Sequence, residues 1–173
     1  MMMDLEKTSL TDQSQILPRR ISDFVAYANK ANRREAEQEL MACLGDRLAQ
    51  QRNRLGGLEL RLAARDRLTA IAEVDRVLLR VQLLIEDLRA IGAEHHAWFE
   101  ADALPEDDLE TLYRCDLSLL SGVDALAEAI GELSLAVDGE ESLAARTGDL
   151  VDLLDLLNER LGRRRKAIQI LSR

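Results

Sequence analysis

Residues 109–137 read LETLYRCDLSLLSGVDALAEAIGELSLAV, and residues 143–171 read LAARTGDLVDLLDLLNERLGRRRKAIQIL. In the first stretch Leu109, Leu112, Asp116, Leu119, Val123, Leu126, Ile130, Leu133 and Val137 recur at alternating steps of three and four. In the second, Leu143, Thr147, Leu150, Leu154, Leu157, Leu161, Arg164, Ile168 and Leu171 do the same. Such spacing marks two long amphipathic helices that meet along a seam. Between them Asp138 and Gly139 supply a turn, and Asp138 with Glu141 has the spacing of a capping box. The helices should therefore fold back on each other, with facing residues whose numbers total roughly 278, within a helical turn. That total sets Asp116 beside Arg164, so each ladder's one charged rung faces the other's. A buried pair of this kind can fix register, because a slip of one heptad strands both charges among leucines. The alternative is an open bundle end, where both reach water and Arg164 lays its stem along the seam.

Working outward, the 173-residue chain has one domain's length and could bury about 70% of its unfolded surface. Apolar residues make up 47% but aromatics only 3%, so the core must be built from Leu, Ala, Ile and Val. Aliphatic cores poor in β-branched residues suit helix-on-helix packing. Residues 1–20 lack periodicity and read as a flexible arm; residues 21–173 read as a single helical-bundle domain. Ser22 is a plausible N-cap, with Asp23 in the first turn. The pattern then predicts helices over 22–55, 58–92, 106–137 and 140–171, each spanning roughly 50 Å at ~1.5 Å per residue. Pro105 suits the start of the third, and Glu106, Asp107 and Asp108 suit its positive end.

Four equal rods suggest an all-α, antiparallel up-down-up-down four-helix bundle with coiled-coil character. The rival is one helix over 22–99 plus a C-terminal hairpin, closed by dimerisation. In its favour, Leu44, Leu48, Leu55, Leu58 and Leu62 keep their three-four phase through Gly56 and Gly57. Charge favours a turn at Gly56-Gly57. Net charge is −9, but residues 1–93 hold 15 basic and 14 acidic groups, residues 94–159 two and 18, and residues 160–173 six and none. A turn there would gather Arg47 to Arg67 against the acids Glu128 to Asp149, and Glu94 to Glu110 against the basic C-terminal segment.

Few motifs carry chemistry. Glu94, His95 and His96 invite a metal, but adjacent histidines diverge by about 100° on a helix and no inward Glu-x-x-His pair exists. No cofactor or metal is expected. No G-x-S-x-G, P-loop or Rossmann fingerprint occurs, so the chain does not read as an enzyme. Cys43 and Cys115 are isolated and read as reduced packing residues, and no 18-residue apolar stretch implies a membrane span. A cytoplasmic location is the default, with no secretory signal in Met1 to Leu17.

Trp98, Phe99 and Leu104 either plug the bundle's end or form an apolar patch for a partner. Arg160, Arg163, Arg164, Arg165 and Lys166 form the one basic cluster, which an acidic neighbour could neutralise or a nucleic acid could use. The leading expectation is a non-catalytic protein–protein interaction module, an adaptor, scaffold or assembly subunit that binds another protein or a second copy of itself. The alternative is a small helical subunit of a nucleic-acid-associated complex using that Arg cluster.

Overall fold

A computed structural model describes residues 10–20, 26–139 and 142–173. Five α-helices account for most of them, α1 (Leu10–Arg20), α2 (Arg33–Ala63), α3 (Leu68–Ala93), α4 (Glu106–Ala136) and α5 (Ala144–Leu171), and the described residues contain no strand. Short 3-10 turns at Lys30–Asn32 and Ala97–Glu100 precede α2 and α4. The chain is an all-α bundle.

Every rung of both ladders is buried, from Leu109 on α4 to Val137 just past its end, and from Leu143 just before α5 to Leu171 at its end. The hairpin they form has the expected alignment: Asp116 meets Arg164, Ser118 accepts from Arg160 through its carbonyl, and Glu132 pairs with Arg146. Gly122 makes room for side chains of α5. A Cβ there would lie 2.5 Å from Leu157 Cδ2 and 2.9 Å from Arg160 Nη1.

The first hairpin differs from expectation in where it turns. Gly56 and Gly57 lie inside α2, and the chain reverses at Ala64–Arg67 instead. There Leu62 accepts from the backbone N–H groups of both Arg65 and Arg67, while Asp66 takes the left-handed conformation at φ 53°. Asp tolerates that conformation better than most side chains, so a reversal was available without glycine. The unbroken three-four phase through the glycines is thus real, yet the single helix over 22–99 is not: α2 and α3 pack against each other as a hairpin.

Three further boundaries move. Leu10–Arg20, expected to be an irregular arm, form a helix that lies against α4 with Leu17 fully buried. The first bundle helix begins at Arg33 and not at 22; Ser22 and Asp23 lie outside the described residues. The last begins at Ala144 and not at 140, because Asp138 is taken by Arg61 at 2.6 Å and Arg65 at 2.8 Å; Glu141 lies outside the described residues. Arg61 holds the Asp138 carboxyl below its ordinary value. This pairing across hairpins is the one the charge pattern called for at that end.

Helix directions alternate, but the hairpins sit side by side so that like-directed helices are neighbours. Arg47 reaches Asp124, Arg54 the carbonyl of Ala127, and Arg61 Ser134, which sets α2 parallel to α4. Glu73 with Thr147 and Arg80 with Asp155 do the same for α3 and α5. Consequently α2 and α5 stand on one diagonal of the bundle, and α3 and α4 on the other.

Candidate functional site: a buried polar cluster across the bundle

The end of the bundle farther from the Ala64–Arg67 turn holds the molecule's least ordinary chemistry. Arg164 on α5 is buried and makes four hydrogen bonds. Its Nε donates to Asp116 Oδ1 on α4 at 2.5 Å, Nη1 to Glu37 Oε1 at 2.9 Å, and Nη2 to Glu37 Oε2 at 2.5 Å and to the Tyr27 hydroxyl at 3.3 Å. Glu37 lies on α2, so the guanidinium spans the diagonal and grips its carboxylate with a two-pronged fork, the arrangement that suits arginine over lysine. Tyr27 closes the ring by donating to Asp116 Oδ2 at 2.8 Å.

Tyr27 is itself fixed at every polar point of its backbone. Its N–H donates to the Tyr113 hydroxyl at 2.9 Å, and its carbonyl accepts from Arg33 Nε at 3.0 Å. Arg33, also buried, donates through Nη1 to the carbonyls of Trp98 at 2.9 Å and Ala101 at 2.5 Å. Aromatic rings cover the assembly: Tyr27 stacks on Tyr113 at 5.1 Å and meets Trp98 edge-on at 5.3 Å, and Trp98 lies 4.9 Å from Phe99.

The sequence explains this convergence. Leu62, Leu58, Leu55, Gln51, Leu48, Leu44 and Leu40 are buried along one stripe of α2, and the same three-four steps continued toward its start reach Glu37 and Arg33. Both are charged rungs of a third ladder, and that extension was the signal that could have found them. Tyr27 precedes α2 and has no such periodic signal.

Protonation follows from burial and from count. Two carboxylates face one guanidinium, so burial pushes the Asp116 carboxyl up to about 6, against the pull of Arg164 and with the added repulsion of Glu37. Burial and then Asp116 raise the Tyr27 hydroxyl well above its ordinary value, which keeps it a donor. Desolvation opposes the charge on Arg164, but Asp116 and Glu37 outweigh it and hold the guanidinium protonated. Burial also raises the neighbouring Cys115 thiol, the direction that leaves a cysteine unreactive. Removing one member of such a cluster leaves buried polar groups unmatched, whereas the intact cluster ties α2, α4, α5 and the Tyr27 segment at one point.

The other candidate residues fall elsewhere. Trp98 and Phe99 are buried and Leu104 is partly buried against the core, so these three close the bundle's end; the edge-on contact of Trp98 with Tyr27 and its contact with Phe99 hold the pair inward. The Arg cluster is dispersed: Arg160 is committed to Ser118, Arg163 to Glu159 one turn away, and Arg164 to the core. Of the five, Arg163 and Arg164 form ion pairs among the described residues, and Arg160, Arg165 and Lys166 do not. Among the described residues no acid from Glu94 to Glu110 forms an ion pair with this cluster, although Glu94 and Arg165 line one pocket; helical periodicity turns successive basic residues to different sides. His95 Nδ1 contacts Arg34 at 3.2 Å and His96 Nε2 lies 3.8 Å from Glu94, and no group of three metal-binding side chains occurs among the described residues. Cys43 and Cys115 are both free thiols. No helix among the described residues is long and apolar enough to cross a membrane.

Comparison with models of protein families, with curated proteins and with solved structures returned no match.

Proposed function

We propose that this chain is a non-catalytic protein–protein interaction module, a helical adaptor or assembly subunit of the cytoplasm. The observation that carries the reading is the outward face of α3. Leu79 and Leu83, one turn apart, are 59% and 54% exposed on the side of α3 away from Val77, Val81, Leu84 and Ile85. Ala72 and Ala90 extend the same face at heptad distance, and Asp75, Arg76, Glu86 and Asp87 flank it. An apolar stripe bordered by charge on a helix whose opposite side already fills the core is the form of a coiled-coil docking face. Two free thiols and a core organised around buried charge suit an intracellular structural role.

The test is affinity capture from an extract of the native cells with the wild-type chain and with a Leu79→Glu/Leu83→Glu variant, repeated after nuclease treatment. Both substitutions lie on the surface, so thermal stability should be unchanged while specific partners are lost. Identical recoveries from the two baits, or recoveries that vanish only with nuclease, would count against this reading.

A further inference from the structure

The outer face of α3 is a palindrome, and that decides which partner it suits. Leu68, Ala72, Leu79, Leu83, Ala90 and Ala93 are exposed along one stripe that runs about 38 Å down the helix. Each has an apolar counterpart about a centre near Val81: Leu68 mirrors Ala93, Ala72 mirrors Ala90, and Leu79 mirrors Leu83. Beside the stripe, Asp75, Arg76, Asp87 and Arg89 are exposed and form no ion pair among the described residues, although the next basic residue, Arg80, is taken by Asp155 of α5. These four charges are left for a partner to match.

We propose, on the reading of the outer α3 face as a docking surface, that its occupant is a second copy of this chain, held α3 to α3 in antiparallel fashion about a two-fold axis near Val81. A two-fold interface must be self-complementary, since the same patch serves both subunits. Facing residues whose numbers total about 162, within a helical turn, set Leu79 on Leu83 of the second copy and Ala72 on its Ala90. The rotation also brings the α2 side of one face against the α2 side of the other. Gln82 marks that side, because its carbonyl oxygen accepts from Arg52 of α2 at 2.7 Å, and helical spacing puts Leu68, Asp75 and Arg89 there too. Asp75 then faces Arg89 of the second copy. On the side marked by Arg80, which borders α5, Arg76 faces Asp87 of the second copy. Glu86, which accepts from Gln82 at 2.8 Å, falls between one opposite and one like charge, Arg76 and Asp75 of the second copy. Leu68, 74% exposed at the start of α3, meets a hole. At the mirrored height, a groove of about 430 Å³ opens between α2 and α3, lined by Met41, Ala42, Gly45 and Ala93 among others and by Arg89 at the same edge. A leucine knob entering a groove of small residues on each side of the axis extends the coiled-coil contact onto α2.

The experiment is sedimentation velocity on the full chain from micromolar to several hundred micromolar. The wild type should pass from the mass of one chain toward twice that mass, and Leu79→Glu/Leu83→Glu should stay at one. Arg76→Glu and Asp87→Arg should each weaken the dimer about tenfold, and the two together should restore most of the affinity. Positions 76 and 87 are three turns apart on one helix, so that recovery comes only across an antiparallel interface. Leu68→Asp should also weaken the dimer while circular dichroism stays that of the wild type, since an acid suits the start of a helix. A dimer indifferent to Leu79→Glu/Leu83→Glu or to Leu68→Asp, or a doubly charge-reversed chain no tighter than the single ones, overturns the proposal. So does a wild type of one chain's mass at every concentration; if Leu79→Glu/Leu83→Glu then still loses captured proteins, the docking face stands and only its assignment to a second copy falls.

Discussion

Asp116 and Arg164, 48 positions apart in the chain, meet at 2.5 Å in the core, and Glu37 reaches the same guanidinium from across the bundle. The pair is one edge of a three-charge cluster, which determines how substitutions there should behave. Arg164→Met leaves two buried carboxylates facing each other and should cost about 3–5 kcal/mol. Asp116→Ala leaves Arg164 its Glu37 partner but strands the Tyr27 hydroxyl and one guanidinium N–H, a loss of about 2–4 kcal/mol. Asp124→Ala removes only half-exposed pairs and should cost less than about 1 kcal/mol. Urea unfolding of the three variants checks the ranking.

The protonation of Asp116 gives the stability a pH dependence. Its carboxyl titrates at about 6 in the folded state against 3.8 ordinarily. Between those values the folded chain holds a proton that the unfolded chain has released. This group's contribution is therefore fully present below about pH 4, is lost as the pH rises through about 6, and is level above that. Measured by denaturant unfolding, the wild-type protein should lose more stability than Asp116→Asn between about pH 4.5 and about pH 6.5.

Glycines in the helices divide into two kinds. At Gly56 and Gly57 an added Cβ would meet nothing within 4 Å, so alanine there should stabilise the protein by about 0.5–1 kcal/mol at each site. At Gly122 the same methyl group would strike Leu157 and Arg160 on α5, so Gly122→Ala should destabilise by about 1–3 kcal/mol. Opposite shifts in melting temperature would establish the contrast.

Trp98 is the chain's single tryptophan and is completely buried. Its emission should be blue-shifted and weakly quenched by acrylamide in the native state, with both properties lost on unfolding. Ready quenching in the native protein would mean that the Ala97–Glu100 turn does not close the bundle's end.

Much of the fold was legible because helical periodicity is a repeated signal. All eighteen rungs of the α4 and α5 ladders are buried, and the total near 278 found the Asp116–Arg164 pair from spacing alone. What was missed lies where periodicity gives no information. The α2–α3 reversal depends on a left-handed Asp66, and a pair of glycines looked like the stronger breaker. Tyr27 reaches the cluster from an irregular segment, and the described part of α1 is too short to display a ladder. Glu37 and Arg33 were hidden differently: a charged rung at a helix's end resembles ordinary solvated surface until a partner on another helix is seen. The dispersal of Arg160, Arg163 and Arg164 has the same origin, since neighbours in sequence lie on different sides of a helix.

The diagonal reach of Arg164 bears on the order of assembly. Each hairpin can form from near neighbours in sequence, whereas Glu37 and Arg164 are separated by 127 positions and come together only when the two hairpins have docked. Contacts made after the rate-limiting barrier govern escape from the native basin more than entry to it. In stopped-flow measurements, substitution of Arg164 should leave the refolding limb nearly unchanged and steepen the loss of native protein with time, so that the cluster sets how long the bundle persists once made.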